Sequence, residues 1–130
     1  MSTEVTPPAD DPAIDALRAA LEAARATRLQ PQLLRAYAAL GAGYLAADRL
    51  GDAESAWRTA VAQARICAGP QDLGLALLGL ARTLARTPRT DRALLAYTEA
   101  VAALQGCDGA RAAEARAELA TLGRVPGGAR

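Results

Sequence analysis

Small and large apolar residues recur along this chain at helical spacing, and the same pattern returns after 40 residues. Residues 53–61 read AESAWRTAV, and residues 93–101 read ALLAYTEAV. Residues 13–21, AIDALRAAL, occupy the same positions one period earlier. Trp57 and Tyr97 share one position of the pattern, so the match involves more than alanine. Helical spacing of apolar residues predicts amphipathic helices, and self-similarity at a fixed period predicts a repeat architecture.

A second apolar stripe alternates with the first and follows the same period. Its members are Leu33, Tyr37, Leu40, Tyr44 and Ala47, and then Leu73, Leu77, Leu80, Leu84 and Thr87. Proline, glycine and aspartate separate the segments, and these residues cap or end helices. We therefore predict a break at Gly51-Asp52 and six helices, with the ranges 12–27, 31–48, 52–67, 72–86, 90–105 and 109–122.

Composition favours an all-α fold. The chain is 52% hydrophobic but only 3% aromatic, and alanine and leucine, both strong helix formers, supply most of the apolar content. We expect one helical-repeat domain at 11–122, between a disordered acidic, proline-rich tail at 1–10 and a disordered tail at 123–130. A helical hairpin buries its apolar stripe only by stacking on neighbours. The alternative is an ordinary helical bundle whose internal matches arise by chance.

Residues 40–61, LGAGYLAADRLGDAESAWRTAV, resemble the unit of the tetratricopeptide repeat superfamily. In that family the second helix of each pair has a small packing residue before an aromatic, which matches Ala56 and Trp57. Gly51-Asp52 resembles the inter-helix turn, whereas residues 80–101 have Thr90-Asp91 instead. The period exceeds the usual 34 or so residues and is similar to longer bacterial variants in regulator and adaptor proteins. The resemblance implies a short right-handed α-solenoid of about six antiparallel helices, with peptide binding in a concave groove.

Candidate site residues follow from the same resemblance, in which the first helix of each pair lines the concave face. Here those helices are 31–48 and 72–86, with outward positions such as Leu45 and Leu78. Arg82 and Arg86 lie four residues apart on one helical face, without an acidic residue nearby in sequence. Such a cluster could hold a carboxylate of an acidic peptide or of a C-terminus; the alternative is a solvated face. The predicted partner-binding residues are Arg35, Leu45, Arg49, Leu78, Arg82, Arg86 and Arg89.

The charge balance and the absence of histidine argue against several classes of function. The 15 basic residues, all arginine, nearly balance 14 acidic ones, which argues against nucleic-acid binding. The chain has no histidine, so it lacks histidine-based metal sites and catalytic Ser–His or Cys–His pairs. Cys67 and Cys107 are one period apart, too far in a stack for a disulfide, and we expect free thiols. We predict a non-enzymatic protein with no catalytic residue, cofactor or metal.

These observations favour a cytoplasmic adaptor or chaperone-like scaffold that binds a peptide or helix of another protein. No stretch of sequence is long and apolar enough for a membrane span, and the N-terminus lacks the regions of a secretory signal. Trp57 and Tyr97 are expected in the core rather than at the partner surface. The alternative function is a self-assembling, homo-oligomeric structural module, such as a homodimer joined through the ends of the stack.

Overall fold

The computed structural model describes residues 11–67 and 69–123 of the chain. Within these ranges the fold is all-helical, with six helices and no strand. In order they are α1 (Pro12–Thr27), α2 (Gln30–Ala46), α3 (Leu50–Cys67), α4 (Pro70–Ala85), α5 (Thr90–Leu104) and α6 (Gly109–Gly123). The predicted all-α class is confirmed, and each predicted end lies within two residues of the observed one. The tail predicted at 1–10 lies outside the described residues, as do residues 124–130 of the tail predicted at 123–130. Gly123, assigned to that tail, ends α6 instead.

The helices pack mainly with their neighbours in sequence. In addition, α2 packs against α4, and α4 packs against α6. Within the described part of the chain the backbones of α1 and α3, and of α3 and α5, do not approach each other in this way, although the Arg65 side chain of α3 pairs with Glu99 of α5. The helices α2, α4 and α6 therefore form a continuous row, and α4 lies at its centre.

Residues that are 40 positions apart in the sequence are buried alike in the core. Alanines at equivalent positions of α3 and α5 are completely buried; they are Ala53, Ala60, Ala93 and Ala100. Trp57 and Tyr97 are also buried, at 9% and 3% exposure, which confirms their predicted place in the core. Because alanine adds little bulk, adjacent helices approach closely around these two aromatic rings.

The predicted break at Gly51 is wrong, because Gly51 lies in the first turn of α3. The chain turns at Asp48 instead, which has a left-handed φ of 62°. The Asp48 N–H donates to the Leu45 carbonyl at 3.0 Å, and the Arg49 N–H donates to the Tyr44 carbonyl at 2.9 Å. These two bonds form a Schellman motif, with aspartate in the place that glycine more often takes.

Two glycines allow α2 and α4 to approach the Trp57 ring. A Cβ at Gly41 of α2 would lie 2.7 Å from Trp57 Cε2, and a Cβ at Gly79 of α4 would lie 2.4 Å from the same atom. No side chain fits at such distances unless the ring moves. The indole therefore extends from α3 against the backbones of both helices.

Candidate functional site

A groove of about 440 Å³ follows the row of α2, α4 and α6; we call it the central groove. Its lining residues are Ala42, Leu45, Ala46, Trp57, Leu75, Leu78, Gly79, Arg82, Arg86 and Arg111. Leu78 and Trp57 form its buried part, at 2% and 9% exposure. The groove thus combines an apolar base and small alanine walls with three guanidinium groups.

Arg82 connects α4 to α6 through a bidentate ion pair. Its Nε donates to Glu118 Oε1 at 2.9 Å, and its Nη2 donates to Glu118 Oε2 at 2.7 Å. The Tyr97 hydroxyl of α5 donates to the same Oε1 at 2.9 Å. The hydrogen bonds from Arg82 hold the pKa of Glu118 below its usual value, whereas burial raises the pKa of the Tyr97 phenol. This network joins three helices beside the groove.

Arg86 connects α4 to the end of α2. Its Nη1 donates to the Leu45 carbonyl at 3.1 Å, and its Nη2 pairs with the Asp48 carboxylate. Both groups lie at the turn that ends α2, where the carbonyls carry the negative end of the helix dipole. Arg86 therefore stays at the groove with its guanidinium oriented by two contacts.

Arg89 lies outside the central groove. Its Nη1 donates to Glu54 Oε2 of α3 at 3.1 Å, and its Nη2 pairs with the other oxygen of that carboxylate. The hydrogen bond from Arg89 lowers the pKa of Glu54. Arg82 and Arg86 have no acidic residue nearby in sequence, but each of them, like Arg89, pairs with a carboxylate of another helix or turn.

The other predicted site residues divide between the groove and distant surfaces. Leu45 lines the groove, as does Leu78, but the prediction that Leu78 points outward is wrong, because it is 2% exposed. Arg49 lies at the α2–α3 turn, 4.9 Å from the Tyr44 ring centroid, and its Nη2 is 2.6 Å from Asp52 Oδ2. Arg35 lies on a separate depression between α1 and α2. Of the seven predicted residues, the structure brings Leu45, Leu78, Arg82 and Arg86 together.

The prediction missed Arg111 of α6, which lines the groove, and Glu118, which orients Arg82. The sequence did contain a signal that could have found Glu118. Ion pairs between separate helices or turns join residues 32 to 38 positions apart, less than the 40-residue period. Opposite charges at that separation lie on adjacent copies of the repeat. A search for such pairs would have found Glu118 as the partner of Arg82.

The chain matches no family model, and no curated protein or solved structure is significantly similar to it. Among the described helices, none is both long and apolar enough to cross a membrane. The described residues contain no group of three or more His, Cys, Asp or Glu side chains that could hold a metal ion. We therefore infer a function from the geometry of the central groove.

Proposed function

We propose that this chain is a non-enzymatic, cytoplasmic interaction module that binds a peptide or helix of a partner protein in the central groove. The observation that carries this proposal is an open groove with an apolar base along the row of α2, α4 and α6. In the tetratricopeptide-like arrangement proposed here, a right-handed stack of helical hairpins, that row lines the concave face.

The chemistry of the groove suits a peptide. Ala42 and Ala46 of α2 are exposed and line the groove together with Gly79 of α4, so a partner backbone meets little steric obstruction. Leu78 and Trp57 offer an apolar base of the kind that receives an anchor side chain. Ion pairs already hold Arg82 and Arg86, so these two side chains lose less conformational entropy when a partner contacts them.

Affinity capture from a native cell extract tests the proposal, with Ala42→Glu as the groove variant. Ala62→Glu is the matched control, because Ala62 is an exposed alanine of α3 outside the groove lining. We expect wild type and the Ala62 variant to retain a common partner that the Ala42 variant loses. Equal retention by all three forms would contradict the groove as the binding site. Arg82 is a poorer target, because its removal also breaks the bond to Glu118.

Exposed end helices favour a second candidate function, self-assembly. α6 buries only Ala112 and Ala115, and α1 buries only Ile14, Leu21 and Ala24. The alanine-rich depression between α1 and α2, of about 420 Å³, leaves room for another helix. End-to-end association predicts a molar mass that rises with concentration in light scattering after size-exclusion chromatography. A constant monomer mass would remove this candidate.

A further inference from the structure

The polar side chains that line the central groove have one property in common: each is a hydrogen-bond donor. They are Arg82, Arg86 and Arg111. The carboxylates that pair with these guanidinium groups are not among the lining residues. Among its described lining residues the groove therefore offers donors and no side-chain acceptor, which suits a ligand that presents oxygen acceptors better than one that presents N–H donors.

Glu114 shows where a carboxylate fits. Its Oε1 lies 2.9 Å from Arg111 Nη1 and 3.6 Å from Arg82 Nη2, so one carboxylate oxygen bridges the two guanidinium groups. The Glu114 side chain is 48% exposed, and exposed ion pairs of this kind are weak. Each guanidinium has five N–H groups, and most of those on Arg111 make no bond to the described residues. An incoming carboxylate can therefore replace Glu114.

The rest of the groove suits an aliphatic chain. Leu45, Leu75 and Leu78 line the groove together with Trp57, and its volume of about 440 Å³ falls in the range of small-molecule sites. That volume equals the bulk space of roughly 15 water molecules.

We propose that the central groove binds a small amphipathic monocarboxylate, with its aliphatic chain on Leu78 and Trp57 and its carboxylate between Arg82 and Arg111, in place of Glu114. This inference goes beyond the proposed function and does not require it. A ligand in this position would compete with a partner peptide for the same apolar base.

Octanoate is the probe, and the fluorescence of Trp57, the only tryptophan of the chain, is the signal. We expect a saturable change with octanoate and none with acetate, which lacks the chain, or with octylammonium, which reverses the charge. Octanol should bind about tenfold more weakly, because it lacks the charge-assisted hydrogen bonds. Absence of saturation, or equal binding of octanoate and octanol, would overturn the proposal.

Two variants with opposite expected effects sharpen the test. Arg111→Ala should weaken octanoate binding about tenfold, because it removes one side of the carboxylate site. Glu114→Gln should tighten binding by about two- to fivefold, because it removes the competing carboxylate. Arg116→Ala, an exposed arginine of α6 outside the groove lining, is the matched control and should change nothing. Weaker octanoate binding by the Glu114 variant would contradict the proposal that the Glu114 carboxylate competes with octanoate for Arg82 and Arg111. Because the Glu114 variant keeps the side-chain shape, it remains informative if loss of Arg111 affects folding.

Discussion

Trp57 and Tyr97 occupy the same position of the 40-residue repeat, but their surroundings differ. The Trp57 indole lies against Gly41 and Gly79, and its buried N–H has no acceptor among the described residues. The Tyr97 hydroxyl instead donates to Glu118, which also accepts two hydrogen bonds from Arg82. Close packing therefore holds the Trp57 ring, whereas a network of hydrogen bonds holds the Tyr97 ring.

The difference shows how one repeat position serves two purposes. At Trp57, close packing against two glycine backbones holds α3 between α2 and α4 and leaves an apolar base in the groove. At Tyr97, hydrogen bonds attach α6, whose own buried residues are only Ala112 and Ala115. We expect the first region to respond to changes of volume, and the second to respond to changes of charge and pH.

The largest effect is expected from Trp57→Ala. Removal of a buried aromatic ring leaves a cavity and costs about 3–5 kcal/mol of unfolding free energy. Urea denaturation followed by circular dichroism at the helical band measures this loss. A loss below about 1 kcal/mol would contradict the role of the indole between α2 and α4.

The second-largest loss of unfolding free energy is expected when a methyl group is added at Gly79. Gly79→Ala places a carbon within 2.4 Å of the Trp57 ring, and such overpacking costs about 1–3 kcal/mol. Gly51→Ala is the control, because no atom lies within 4 Å of the added carbon, and it should stabilise α3 by about 0.5–1 kcal/mol. If the clash with the ring is the cause, the cost of Gly79→Ala disappears in a Trp57→Leu background.

A smaller effect is expected from Tyr97→Phe, which keeps the ring but removes the bond to Glu118. The expected loss is about 0.5–1.5 kcal/mol, measured by the same denaturation. Tyr37→Phe is the comparison, because its hydroxyl bonds to the exposed Arg25 and its removal should cost less. Equal losses for the two variants would show that the hydrogen bonds around Glu118 add nothing to the free energy of unfolding.

The smallest effect concerns pH. The hydrogen bonds from Arg82 lower the pKa of Glu118 in the folded state, so its contribution to stability is present above the unfolded pKa, near 4.5. That contribution is lost as the pH falls through the lowered pKa of the folded state. Glu118→Gln should therefore lose stability at neutral pH and show a flatter decline between about pH 5 and pH 2. An identical decline in both proteins would contradict the network.

Local features of the fold could be predicted from the sequence, because they depend on residues close together in the chain. The start of α1, predicted and observed at residue 12, is an example: the Asp11 side chain caps it and accepts the Ala13 N–H at 2.8 Å. The turn at Asp48 was missed, because Gly51 is the residue that more often breaks a helix.

The candidate site was less predictable, because it depends on contacts between helices. Leu78 looked like an outward residue by helical spacing, but it is 2% exposed at the base of the groove. The pairing of Arg82 with Glu118 joins residues 36 positions apart and requires the packing of α4 on α6. Arg111 enters the groove for the same reason, from a helix that the family resemblance did not assign to the site.

The most direct test of the central groove as a partner site is photo-crosslinking in the native cell. A photoreactive residue at Ala46 would lie on the groove wall, and one at Ala62 would lie on the exposed face of α3. We predict that the probe at Ala46 gives a discrete crosslinked partner that the probe at Ala62 does not. A partner crosslinked only from Ala62, or equally from both positions, would contradict binding in the central groove.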